Sequence, residues 1–143
     1  NMGDRTTCNL YLYGDLKKAS AAQLAELIQA IDDAGPETYG EGTPSEKLAA
    51  ENGHFWFYEV NYGEMDSDLE EAIINAGLSY VWSWDAGGGY PSGMKLHNAE
   101  TDETAEFSTC DSEICLGISE LTSEKIAEAR RWHDWHGESQ LAA

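Results

Sequence analysis

From Leu78 to Ile118 the sequence holds four alternating runs, joined by connections shorter than the dozen or so residues that a parallel crossover needs. Leu78, Tyr80, Trp82 and Trp84 share one face of the first run. "MKLHN" (94–98) and "TAEFSTC" (104–110) read as a hairpin around the polar "AETDE" (99–103). "ICLGI" (114–118) follows the tight turn "DSE". Strands clustered in this way, with short turns, argue an antiparallel or mixed sheet with helices packed on one side. The expected fold class is α+β, in the form of a ferredoxin-like sandwich with an added β-hairpin.

The first half supplies two more strands and two helices. In "TTCNLYLYG" (6–14), Cys8, Leu10 and Leu12 alternate with Thr7, Asn9, Tyr11 and Tyr13, the pattern of a half-buried strand. Ser20 caps a helix whose Leu24, Leu27, Ile28 and Ile31 form one apolar face, and Gly35-Pro36 ends it. A loop follows, with Ser45 capping a short helix through Leu48 that stops at Asn52-Gly53. "HFWFYEVNY" (54–62) is the strongest strand signal. His54, Trp56, Tyr58, Val60 and Tyr62 share one face and Phe55 and Phe57 the other, which predicts a central position in the sheet. Ser67-x-x-Glu70 reads as a capping box before Leu69, Ile73 and Ala76, with Gly77 as the stop. Thr122 or Ser123 caps a final helix carrying Ile126, Ala129 and "RRWHDWH", ended by Gly137. With no internal repeat and no linker, residues 1–143 form a single domain.

The balance of charge limits the partners. Twenty-seven acids face eight bases, a net charge of −19. Between Glu59 and Glu124 there are fifteen acids and one base, Lys95. Such a field repels phosphate and anionic lipid and attracts basic surfaces. With 41% hydrophobic residues the chain is nonetheless too apolar to be disordered. No run approaches the roughly 20 apolar residues of a membrane span, and no secretory leader pattern opens the sequence. Asn1 before Met2 reads as an added residue ahead of the native start, and three cysteines fit a reducing compartment. A cytoplasmic location is expected.

Each motif that suggests chemistry has a plainer reading. Gly87–Gly89 follows a strand, but Tyr90-Pro91 and neighbouring acids stand where a phosphate loop would place Lys and Ser or Thr, so a loop or bulge is expected. Cys110, Cys115, His133 and His136 offer thiolate and imidazole, the ligand types zinc takes, and His133 and His136 share a helix face. Their spacing departs from a zinc finger, and the cysteines read better as small buried hydrophobes beside a turn. In "WHDWH" (132–136), Trp132 or Trp135 is expected to pack on the sheet. The histidines then sit at the helix C-terminus, favoured by its dipole. "DSDLEE" (66–71) lacks the glycine and terminal glutamate of an EF-hand and reads as a solvated helix start. There is no nucleophile elbow, and His54 and His97 are single strand histidines. No catalytic residue and no cofactor is assigned.

Two functions of different kind remain. The chain resembles the small acidic phage- or plasmid-encoded anti-defence proteins, the anti-CRISPR and antirestriction DNA mimics. The resemblance lies in its size, its charge, its lack of a catalytic motif and the cast of "NYGEMDSDLEEAIINAGLSYVW" (61–82). It covers about a sixth of the chain and assigns no residue a role. It implies an inhibitor that presents a negative, aromatic-studded surface to the basic groove of a nucleic-acid-binding protein or complex, without itself binding nucleic acid or membrane. Glu59, Glu64, Asp66, Asp68, Glu70, Glu71, Trp82, Trp84, Asp85 and Tyr90 are the residues expected on that surface. The alternative is a small enzyme or binding module, using zinc on Cys110, Cys115, His133 and His136 or an aromatic pocket of Trp56, Tyr58, Trp82 and Trp84. A halophile's acidic housekeeping domain, stabilised by molar salt, would carry the same charge.

Overall fold

The computed structural model describes residues 5–37, 48, 53–87, 89–138 and 141–142. The loop and capped short helix expected between 38 and 52 lie outside these residues except for Leu48, which is buried in the core. Six strands form an antiparallel sheet: β1 (Arg5–Asp15), β2 (His54–Asn61), β3 (Ser79–Trp84), β4 (Gly93–Asn98), β5 (Glu103–Cys110) and β6 (Glu113–Cys115). They lie in the order 2-1-3-4-5-6. A two-residue strand, β7 (Leu141–Ala142), pairs in parallel with Gly14 and Asp15. The helices are α1 (Ala21–Ala34), α2 (Ser67–Asn75) and α3 (Ser123–Glu138). The α+β class and the antiparallel sheet are as the sequence predicts. β2 and β3 flank β1 and are both antiparallel to it, so β2–α2–β3 is a split βαβ unit. β3 to β6 then run as a meander, where a ferredoxin-like sandwich would have a second split unit.

Alternation along the strands builds two cores. Cys8, Leu10, Leu12, Phe55, Phe57, Tyr80 and Trp82 face α1 and α2, which contribute Leu27, Ile31, Leu69, Ala72 and Ile73. Val81, Met94, Leu96 and Phe107 face the other way and meet Ala129 and Trp132 of α3. One helical layer was expected; α1 and α2 form it, and α3 takes the opposite face. The reason is legible in β1 and β3, where Tyr11, Tyr13 and Val81 leave an apolar second face for Trp132 and Trp135 to cover. Full burial of a large apolar side chain contributes roughly 1.5–3 kcal/mol, so Trp132 contributes on that order to docking α3, with smaller shares from half-buried Trp135 and from Ala129.

Local chemistry sets the helix ends. Ser20 Oγ accepts the Gln23 N–H at 3.1 Å, and Gln23 Oε1 accepts the Ser20 N–H at 2.8 Å, a complete capping box. Gly35 closes α1 in the left-handed region, at φ 72°. The cap of α2 is Asp66 rather than Ser67. Its Oδ1 accepts the N–H groups of Asp68 and Leu69 at 2.8 and 3.1 Å, leaving Glu70 free for another task. Thr122 caps α3 through the Lys125 N–H, and the helix continues one residue past Gly137.

β2 is an edge strand, not a central one. Its pairing with β1 slips between Phe57 and Val60, with Glu59 in the left-handed region at φ 52°. This bulge inserts one residue and so returns Val60 to the Phe57 side, against the first core. Strict alternation had placed Val60 with Trp56.

Candidate partner-binding surface

α1 and α2 cover β2, β1 and β3 on the first face. Beyond them β4 and β5 carry Lys95, His97, Glu106 and Ser108, opposite in alternation to Met94, Leu96 and Phe107. Of these, Glu106 and Ser108 are exposed while His97 is buried, and Trp84, at the end of β3, borders the exposed part and is held on three sides. A Cβ on Gly63 would meet Trp84 Cβ at 2.7 Å, and a Cβ on Gly93 would meet its Cζ2 at 2.4 Å. The indole therefore fits only because both neighbours are glycine. Its Nε1 donates to the Pro91 carbonyl at 3.1 Å.

Against this fixed wall lies a groove of about 460 Å³, lined among others by Tyr62, Glu64, Tyr90, Glu106, Cys115 and Glu120. A second hollow of about 360 Å³ shares Tyr62, Glu64, Trp84 and Glu106 with it, and adds Trp82 and Lys95. The three glutamates are exposed. Glu120 Oε1 also accepts the Gly117 N–H at 3.0 Å, which fixes its direction. Tyr62 and Tyr90 approach with ring centroids 6.0 Å apart. Lys95 stands directly across from Glu106 in the β4–β5 pairing, and its Nζ lies 2.9 Å from Glu70 Oε2, so this one cation is shared between the groove and α2.

Glu70 is the centre of a separate, structural network. The hydroxyl of Tyr80, a fully buried residue, donates to the same Glu70 oxygen. Burial would raise the Glu70 carboxyl, but the hydrogen bonds from Tyr80 and Lys95 outweigh it and hold the group below the ordinary glutamate value. Burial first, and then this carboxylate, push the Tyr80 phenol up. His97 stacks on the Tyr80 ring at 5.7 Å, and its Nδ1 lies 2.8 Å from Thr104 Oγ1. Burial lowers its pKa despite Asp102 nearby.

The residues expected on the binding surface therefore separate. Glu64, Trp84 and Tyr90 line the groove. Asp68 and Glu71 are exposed on α2. Asp66 is occupied as the helix cap and Glu70 by Tyr80 and Lys95. Trp82 is 2% exposed, with Nε1 donating to the Gly63 carbonyl at 2.8 Å, and belongs to the core. Glu59 sits on the β2 bulge, 3.7 Å from Arg5. Asp85 borders a different cavity of about 570 Å³, lined also by Tyr11, Val81, Met94 and His136. Tyr62, Glu106 and Glu120 were not singled out from sequence. Alternation in "TAEFSTC" does place Glu106 opposite to Phe107, and so on the Trp84 side.

The alternative sites are not assembled. Trp56 alternates with the core residues Phe55 and Phe57, so it faces away from Trp82, and the four aromatics do not line one pocket. Trp132 is 2% exposed, Trp135 meets it edge-on at 5.2 Å, and His136 lies edge-on to Tyr13 at 6.4 Å. Among the described residues no group of three or more His, Cys, Asp or Glu side chains could hold a metal ion. Cys110 and Cys115 do meet, but Cys110 is exposed and Cys115 half-buried, rather than both being core hydrophobes. The glycine loop feeds β4, not a helix, and Gly87 N–H donates to the Tyr90 carbonyl at 3.0 Å. No helix among the described residues is long and apolar enough to cross a membrane. Comparison with protein-family models, curated proteins and solved structures finds no match.

Proposed function

We propose that this protein is an acidic binding protein that inhibits a nucleic-acid-binding complex of a host defence system by occupying its basic groove. The observation that carries the reading is the groove beside Trp84: an aromatic wall ringed by Glu64, Glu106 and Glu120. It lies in a stretch whose one base, Lys95, is already paired. An exposed ion pair contributes at most about 1 kcal/mol, so acids alone give weak contacts that any basic surface could satisfy. A rigid tryptophan with flanking tyrosines adds the buried anchor from which interfaces draw most of their energy. The carboxylates steer the encounter and select a basic partner. A surface that takes the place of nucleic acid has to be negative over an extended area, and the exposed Asp68 and Glu71 extend it along α2.

The test is capture from a lysate of the candidate host, washed at low and then high salt, followed by competition with DNA. The expected partner is a nucleic-acid-binding complex that is released by salt, because screening weakens exposed charge contacts. DNA and this protein should exclude one another, and a Glu64→Gln/Glu106→Gln/Glu120→Gln variant should lose the competition. A variant that competes as well as the parent, or a partner indifferent to both salt and DNA, would refute the reading.

A further inference from the structure

We propose that Cys110 and Cys115 form a dithiol modification site, at which a small neutral peroxide converts the pair into a disulfide within the β5–β6 hairpin. Asp111 and Ser112 connect the strands with φ of 51° and 68°, the type I′ pattern that makes the tightest hairpin. The register pairs Cys110 with Glu113 and Ser108 with Cys115, so both cysteines point to the same side of the sheet, one diagonal apart. Their sulfurs lie 2.9 Å apart. A disulfide bond is about 2.0 Å long, so the sulfurs must approach by about 0.9 Å, and because diagonal neighbours lie about 7–8 Å apart the two strands must also draw together at this edge hairpin.

Accessibility orders the two steps. Cys110 is exposed and meets the oxidant first; Cys115 is half-buried and resolves. The Cys110 thiolate attacks one peroxide oxygen, the O–O bond breaks, and Cys110 becomes a sulfenic acid with release of one water. The Cys115 sulfur then attacks the Cys110 sulfur and expels hydroxide, which leaves as a second water carrying the Cys115 proton. Two thiols and one hydrogen peroxide thus give one disulfide and two waters. The oxidant class follows from the charge around the pair: Asp111, Glu113 and Glu120 would repel an anionic disulfide such as oxidised glutathione but not a neutral peroxide. Cys8 does not compete, because it is wholly buried in the first core. The argument for the site rests on hairpin geometry and not on the binding reading, although Cys115 also lines the groove beside Trp84.

The whole chain, reduced and then freed of reductant, is treated with hydrogen peroxide under native conditions, and its intact mass and alkylatable thiols are followed. The expected product has lost two hydrogens, has Cys110 linked to Cys115 after proteolysis, and keeps Cys8 as its one alkylatable thiol on unfolding. A dithiol reductant should reverse the change, and Cys8→Ser should react unchanged. Cys115→Ser should stop at a sulfenic acid on Cys110 that a cyclic diketone traps. A product with Cys110 oxidised while Cys115 stays alkylatable, a link between two chains, a link through Cys8, or no reaction would each overturn the proposal.

Discussion

Replacing Glu70 with glutamine separates the acids that build the fold from those free to meet a partner. Glu70 receives the buried Tyr80 hydroxyl and the Lys95 ammonium, with the Glu70 and Lys95 side chains 24% and 29% exposed. A hydrogen bond to a charged group contributes about 1.5–3 kcal/mol. Glutamine keeps an acceptor for Tyr80 at roughly half that strength, and Lys95 loses its carboxylate at a site where solvent screening puts the pair near the low end. The expected loss is about 1–2 kcal/mol. In a chain of this length that lowers Tm by about 3–6 °C. Glu71→Gln, one residue along and exposed, should stay within about 0.5 kcal/mol of the parent. The pH dependence gives a second check. The Glu70 carboxyl is held below its ordinary value, so its contribution is complete above the unfolded pKa near 4.3 and is lost as pH falls through the lower folded value. Urea unfolding of the parent and Glu70→Gln should therefore differ at pH 7 and draw together as the pH is taken below the ordinary glutamate range. If Glu70→Gln is as silent as Glu71→Gln at pH 7, or its deficit persists unchanged in acid, the network argument is wrong.

Gly63→Ala should destabilise by about 2–3 kcal/mol, from left-handed strain plus overpacking, because its Cβ would lie 2.7 Å from Trp84; denaturant unfolding and tryptophan fluorescence would report it. His97, with its pKa lowered by burial, takes its proton more readily in the unfolded chain. Stability should therefore fall as pH drops below about 6.5. His97→Gln should flatten that slope below the unfolded value, leaving the part due to His136, which burial shifts in the same direction. Neutralising Glu64, Asp68 and Glu71 together should leave Tm unchanged or raise it, since exposed like charges repel; a fall beyond about 1 kcal/mol would mean that one of them has a structural partner.

The periodic part of the fold was legible because burial is a property of alternation. Cys8, Leu10 and Leu12, or Tyr80 and Trp82, announce a core face without reference to any other segment. What alternation cannot carry is an inserted residue: the bulge at Glu59 moves Val60 from one face to the other, and no turn residue marks it. Strand position is hidden from the sequence for a related reason. "HFWFYEVNY" is apolar on both faces, which suggests a centre, yet β2 is an edge whose second face carries His54, stacked on Tyr11 of β1, and Trp56 beside Tyr58. The groove was half legible. Trp84 and Tyr90 drew notice as aromatics around a glycine loop, but Glu106 and Glu120 come from strands and turns that only the meander brings beside them.

Three of the eight bases sit between elements of the fold. Lys95 ties β4 to α2 through Glu70, Arg131 ties α3 to β5 through Glu103 at 3.3 Å, and Arg5 meets Glu59 across β1 and β2 at 3.7 Å. These three cations join neighbouring elements, the exposed pairs contributing at most about 1 kcal/mol each, while Lys125 pairs with Glu128 inside α3. A chain made acidic only for solubility would gain nothing by setting aromatics among those acids, because exposed apolar surface works against solubility. Here Tyr62 is 51% exposed and shares its groove with Glu64, Glu106 and Glu120. Carboxylates and aromatics held together by a glycine-bounded tryptophan are the combination that the proposed binding role requires of this groove.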